Sequence, residues 1–421
     1  MATLTTAPAT AAPRRLFRRR DFRLLWSAYA VSAVGSEVTV LAIPLAAAVL
    51  LGASPLQMGL LTAAGTAPYV GFALLAGAWI DRLPRRRPLL VAADVVAATA
   101  LLTVPIAYLA GALSVGHLVA VELVVGFARV TFRPAFQAHL PDVVRREELT
   151  AATGHLRAAE SGAMLGGPGL GGALVQALTA PVAVVVDALS FLASALLVGR
   201  VQAPERVDDA PAARRRLRVE VAEGLGHMWR DRRMRAIAGA AANVNFFGLM
   251  IMALLVVYLT RERDFTPLMV AGVTVAGGVG ALAGALLAPR VAARIGRGRT
   301  FLLATSVFSV GMFAFPAASG PRWLALAVLL GNEAAVGVAI MLFDVTTSAF
   351  VLSAVPRALH GRVNSSLSTV TQGVKPLGAL AGGALATAIG MRPALWVAAV
   401  GATTTVLWVW CSPFRHEYRQ A

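Results

Sequence analysis

A single cysteine, Cys411, in 421 residues leaves no intrachain disulfide framework and no thiolate cluster for a metal. Charge is scarce as well, at 14% of residues, and lysine occurs only at Lys375. The six histidines are scattered, with His117, His139, His155 and His360 near loops or helix ends, where solvated or capping roles are expected. No serine/histidine/aspartate arrangement and no metal-ligand cluster is present. The glycine run GGPGLGG lacks the lysine and hydroxyl residue that complete a phosphate-binding loop. These absences argue against an enzyme and against ATP as the energy source, so no cofactor is expected and an ion gradient is the natural drive. The first 20 residues hold no apolar core before their arginines, so they read as a cytoplasmic tail and not as a signal peptide.

What the chain does contain is long apolar runs. It is 57% hydrophobic with a mean hydropathy of +0.71, too apolar for a soluble globular protein of this length. About 20 apolar residues span a bilayer core as a helix. Twelve such stretches fall near 24–51, 56–80, 88–110, 115–137, 150–177, 180–199, 236–259, 266–288, 300–318, 323–350, 363–388 and 393–411. The reading is an all-α integral membrane protein with twelve transmembrane helices.

The formal net charge of +17 raises the question of nucleic acid, and the location of the charge answers it. Of the 38 arginines and lysines, 30 fall in the tails and loops on the side of the N-terminus. Four lie on the other side (Arg261, Arg263, Arg322, Arg392) and four within helices (Arg129, Arg133, Arg157, Lys375). Basic residues are retained in the cytoplasm, so both termini are expected inside a cell or inner membrane, and no nucleic-acid partner is expected. Trp26, Trp79, Trp323, Trp408 and Trp410 lie near helix ends, as interfacial anchors do.

A fixed shift of 212 residues superposes the two halves at several separated places. Ser54, Pro55 and Leu56 fall on Thr266, Pro267 and Leu268. Arg82, Arg85 and Arg87 fall on Arg294, Arg297 and Arg299, Arg20 and Arg23 on Arg232 and Arg235, and Gly166 and Gly171 on Gly378 and Gly383. The repeat unit has six helices, an even number, so the two copies are parallel and a cavity lies between them. The organisation is a tail over 1–23, a bundle over 24–199, a cytoplasmic linker over 200–235, a second bundle over 236–411 and a tail over 412–421. The linker carries Arg214, Arg215, Arg216 and Arg218, and its later part reads as an amphipathic surface helix turning Val221, Leu225, Met228 and Trp229 toward lipid.

After the second helix, Gly77, Asp81, Arg82, Arg85 and Arg86 stand at the spacing of a loop motif and resemble that of the major facilitator superfamily. The resemblance implies a conformational latch. Gly77 permits close helix approach, and Asp81 sits against a helix N-terminus or arginine across the interface between halves; Asp94 is assigned to the same network. In the second half Ala293 replaces the aspartate. The fifth helix carries Gly154, Gly167, Pro168, Gly171 and Gly172, which look like the antiporter motif of the superfamily's exporters, with Ala163 where a glycine is usual. Such a face allows close packing and a bend.

Further stretches (RPAFQAHLPDVVRREEL, VDALSFLASALL, EGLGHMWRD and HGRVNSSLSTVTQGVKPLGALAGGAL) are similar to proton-driven drug exporters that include macrolide-efflux and enterobactin-exporter proteins. Over about residues 14 to 411 the resemblance implies rocker-switch alternating access and proton antiport. The cargo would be hydrophobic or amphiphilic, drug-like, macrolide-like or siderophore-like. Two alternatives stay open: an uptake permease of the same fold, and a non-transporting scaffold or sensor. A monomer is the expectation for this fold.

An ionisable group inside the bilayer costs a few kcal/mol, which makes each one a functional candidate. Glu122, Arg129 and Arg133 share one face of the fourth helix. Glu37, two residues after Gly35 on the first helix, is the expected proton carrier, paired with Arg129 or else holding two helices together. Asn243 and Asn245 offer hydrogen bonds either to cargo or between helices; Glu333 and Asp344 lie on the tenth helix and Lys375 on the eleventh, where it either contacts cargo or forms an ion pair with Asp344. Arg157 and Glu160 are expected to satisfy each other, and Asp187 is expected at the periphery.

Overall fold

The computed structural model describes residues 16–70, 72, 79–80, 83, 85–205, 226, 228–355 and 360–410. The described residues form helices and no strand. The first bundle contains α1 (Arg20–Leu45, continued by a π turn Ala46–Leu50), α2 (Pro55–Thr66, then a 3₁₀ turn Ala67–Tyr69), α3 (Arg87–Leu109), α4 (Val115–Val143), α5 (Leu149–Ala177) and α6 (Ala180–Gly199). The second contains α7 (Arg232–Arg261), α8 (Pro267–Ile295), α9 (Arg297–Gly311, extended by Ala314–Ala317), α10 (Arg322–Ala354), α11 (His360–Ile389) and α12 (Met391–Trp410).

Among the described residues, nine of these helices are long and apolar enough to span a membrane. The other three have local reasons. α2 as described is an α-helix of 12 residues, and α5 and α11 are diluted by glycine, hydroxyl and charged side chains. Those two helices are the ones that cross between bundles, α5 against α8 and α11 against α2, so much of their surface faces protein instead of lipid. The fold is therefore the expected twelve-helix bundle in two parallel repeats.

The repeat is visible in the caps. Ser54 accepts from the Gln57 N–H and Pro55 opens α2; 212 residues later Thr266 accepts from the Met269 N–H and Pro267 opens α8. A hydroxyl at the cap and proline at the first helical position satisfy one free N–H and remove another. α4 runs six residues beyond the expected end at 137, with Pro134 and Pro141 inside it.

Met228 departs from expectation. It is 2% exposed and packs with Met234, Ile237 and Val355 in the second bundle, while Trp229 is exposed. Trp26 also differs from an interfacial anchor, since its indole N–H donates to the His155 carbonyl at 3.2 Å. Trp79, Trp323, Trp408 and Trp410 are exposed as expected. Gly77, Asp81, Arg82, Arg214, Arg215, Arg216, Arg218, Val221, Leu225 and Cys411 lie outside the described residues.

Candidate functional site

The two bundles meet at the end opposite the linker. The Arg261 guanidinium donates to the Ala48 carbonyl at 2.9 Å, and Ala63, Ala253 and Ala379 close a small apolar plug. Gly172 lets α5 lie against α8, where an added Cβ would come 3.0 Å from the Pro267 carbonyl and would meet Ala271. From the middle of the bundle toward the linker end there is instead a cavity of about 600 Å³. Its walls come from α1, the turn after α2, α3, α4, α5 and α6, all in the first bundle, and reach Pro141 and Leu149.

The cavity combines an aromatic wall with a charged one. Phe132 and Phe136 stack with centroids 5.6 Å apart, and Tyr29 tilts against Phe136 at 5.0 Å. Arg129 and Arg133 line the same space from α4, one helical turn from each other, with Arg157 and Glu160 from α5 and Glu37 from α1. Glu160 lies 2.9 Å from Arg157 and 3.5 Å from Arg133. The Arg157–Glu160 pairing read from the sequence is thus present, and Arg133 joins it from another helix. Phe132 and Phe136, which the sequence reading did not single out, stand at helical spacing on the Arg129/Arg133 face, whereas Tyr29 comes from α1.

Glu37 is held where α5 approaches α1. An added Cβ at Gly167 would lie 3.0 Å from the Glu37 Cγ, and one at Gly171 would lie 3.1 Å from the Val38 Cα. The glycines of the fifth helix therefore set the depth of this carboxyl in the cavity wall, whereas nothing lies within 4 Å of a Cβ built at Gly154. Pro168, between two of the packing glycines, is buried within α5.

Glu122 shares the α4 face with Arg129 but does not line the cavity. Its carboxylate rests against Gly65 of α2, 2.8 Å from where a Cβ would be. Asn243 bonds α7 to α12: its amide donates to the Thr404 hydroxyl at 2.5 Å and its carbonyl accepts from Thr405 at 2.7 Å. Asn245 donates to the Ala241 carbonyl in its own helix. Glu333 faces Gly277 of α8, and Lys375 has Asp344 and Arg133 as electrostatic neighbours, which brings the second-half pair toward the cavity's charged wall.

Two aspartates are placed differently from expectation. Asp94 is 1% exposed and faces Ser194 and Asp187, not the described arginines of the loop after α2. Asp187 is 0% exposed, in the packing of α6 against α1, not at the periphery. At the linker end, the Arg86 and Arg87 N–H groups at the start of α3 donate to the Glu205 carboxylate at 2.7 and 2.8 Å, and Arg86 lies 3.6 Å from Asp142. Arg85 is exposed. His139, expected in a solvated or capping role, is 0% exposed and lies 3.5 Å from Asp142.

The family model described as Major Facilitator Superfamily matches residues 25–374. The chain is 26% identical over 391 residues to the multidrug efflux pump Tap of Mycolicibacterium fortuitum, covering 89% of this chain and 91% of that protein. It is 27% identical over 381 residues to the multidrug efflux pump Tap of Mycobacterium tuberculosis (strain ATCC 25618 / H37Rv), covering 88% of each. The crystal structure of the nucleoside transporter NupG superposes with a TM-score of 0.76 at 13% identity, over 95% of this chain and 99% of that one.

Proposed function

We propose that this chain, which belongs to the major facilitator superfamily, exports a hydrophobic or amphiphilic small molecule by proton antiport, through alternating opening of its cavity to the two sides of the membrane. The observation that carries this reading is the cavity itself: about 600 Å³, aromatic on one side and lined by Glu37, Arg129, Arg133, Arg157 and Glu160 on the other. A space of that size fits a drug-sized molecule, with the apolar wall supplying affinity and the charges selecting among cargoes. The names of the similar efflux pumps support the direction.

In this mechanism the linker end is cytoplasmic, as the 30 basic residues on that side suggest. The conformation seen is then the cargo-loading one, since the opposite end is closed by α2 against α11 and α5 against α8. Glu37 stands beside the cargo with Arg129 as its cationic neighbour. Deprotonated Glu37 offers its carboxylate to a cationic or polar cargo, and a proton on Glu37 removes that acceptor and releases the cargo; cargo and proton therefore compete for one site. The latch residues Gly77, Asp81, Arg82, Arg85 and Arg86 act in the switch between the two openings.

The test is proton flux in liposomes holding the purified protein, with a panel of lipophilic drugs and siderophore-like compounds added across an imposed pH gradient. Compound-dependent proton movement opposite to the compound, lost in Glu37→Gln, is the expected result. Compound movement without proton movement overturns the coupling, and movement in the same direction as protons overturns export in favour of uptake.

A further inference from the structure

Behind the cavity wall, between α1, α3 and α6, lies a cluster of buried polar side chains in the first bundle. It is built from Asp94 on α3, Asp187, Ser190 and Ser194 on α6 and Thr39 on α1, each between 0% and 6% exposed, with one open side where Asp94 also borders the cavity. The space exists because residue 35 is glycine: a Cβ there would lie 2.7 Å from Asp187 Oδ1 and would collide with Ser190. Ser190 donates to Asp187 Oδ1 at 3.1 Å. The Ser194 hydroxyl faces Asp94 and the Thr39 hydroxyl faces Asp187. Even so, Thr39 Oγ1, Ser194 Oγ, Asp94 Oδ2 and Asp187 Oδ2 all lack a partner with hydrogen-bond geometry.

The charge in this region does not balance. Asp187 has Arg129 and Asp94 as neighbours, and it also acts on Glu37 and Glu122. Glu37, Glu122 and Asp187 thus share one guanidinium, Arg129, Asp94 has Asp187 and no arginine as its charged neighbour, and Arg133 and Arg157 have Glu160 between them. Full ionisation of these five carboxyls against three guanidiniums would leave two negative charges uncompensated in a medium where even one is costly. Neighbouring like charges at such a site hold a proton between them, and they titrate as a pair.

We propose that Asp94 and Asp187 form a proton-holding carboxyl pair, loaded from the cavity through Asp94 and separate from Glu37. A proton from cavity water adds to an Asp94 oxygen and passes to Asp187, with Thr39, Ser190 and Ser194 supplying hydroxyls to whichever carboxylate is charged. No bond other than O–H is made or broken. The pair's use in coupling rests on the proton-antiport reading above, but its protonation does not.

The test is therefore made without cargo. The infrared carbonyl stretch of protonated carboxyls is recorded for the full chain in lipid during a pH titration, for wild type, Asp94→Asn, Asp187→Asn and Glu37→Gln. A protonated-carboxyl band at neutral pH that is lost in both aspartate variants and kept in Glu37→Gln is the expected result. A spectrum unchanged in Asp94→Asn and Asp187→Asn overturns the proposal. So does a wild-type band abolished when sodium chloride replaces choline chloride at constant pH, which would make the cluster a sodium site. If an asparagine variant is not monodisperse, Asp187→Glu is used, and the band must persist at a shifted frequency; its absence is a negative result. Loss of cargo-driven flux with these bands intact would reject antiport and leave the pair standing.

Discussion

Gly59 of α2 and Gly383 of α11 touch through their backbones: a Cβ added to either would come 3.0 Å from the Cα of the other and within 2.7 Å of a carbonyl of the facing helix. In the other repeat Ala271, one repeat shift from residue 59, meets Gly172, the residue next to Gly171, the counterpart of Gly383. Side chains cannot enter such a helix contact without separating the helices. Gly383→Leu is expected to open the end opposite the linker. In a Cys411→Ser background, Ala63→Cys should then react with an impermeant maleimide about tenfold faster, the signature of a shifted two-state population. Equal labelling rates would show that this contact does not hold the end closed.

Glu160 stands between Arg133 and Arg157 at the cavity wall. Glu160→Gln leaves two guanidiniums without their counter-charge while preserving shape. Preference should move toward anionic cargo by about an order of magnitude over a neutral analogue, the scale of one desolvated charge contact. The check is a pair of competition curves with an anionic and a neutral form of one scaffold.

Asn243 makes two hydrogen bonds to α12 and does not reach the cavity. Asn243→Ala should lower stability by about 1 kcal/mol, the usual size of such bonds between membrane helices. Transport per folded molecule should be unchanged. A loss of transport at full folded yield would instead place Asn243 in the cargo path.

Glu148, ahead of α5, is held by Arg145 at 2.8 Å, by the Arg145 N–H at 3.3 Å and by Arg19 at 3.5 Å. The Arg145 hydrogen bond holds its carboxyl below the ordinary carboxylate value. A depressed folded value means that the stabilisation is present above the unfolded pKa and is lost as pH falls through the folded one. Glu148→Gln should therefore lower Tm slightly at pH 7. The difference from wild type should shrink to nothing in acid; a difference that persists there would show that packing, not charge, is responsible.

Much of this architecture was written in the order of residues. Helix starts at Pro55 and Pro267 follow from a hydroxyl cap before proline, and their separation by 212 identifies the duplication. The shared face of Arg129 and Arg133 follows from helical periodicity alone. Asp187 could not be read this way. Its helix is otherwise apolar, and nothing within it says that Gly35 of another helix leaves room for its carboxyl or that Asp94 of a third helix lies beside it.

The sequence by itself determined the solvent, the number of spans, the parallel repeat and the candidate charges, because hydropathy, caps and periodicity are local properties of the chain. Only the tertiary structure decided which charges share a space. It took Glu122 out of the cavity wall, tied Asn243 to α12, joined Arg133 to the Arg157–Glu160 pair and turned Asp94 toward Asp187. The reason is physical: helices in a bilayer pack through small residues, and where a glycine allows two backbones to meet fixes which polar side chains on neighbouring helices face each other.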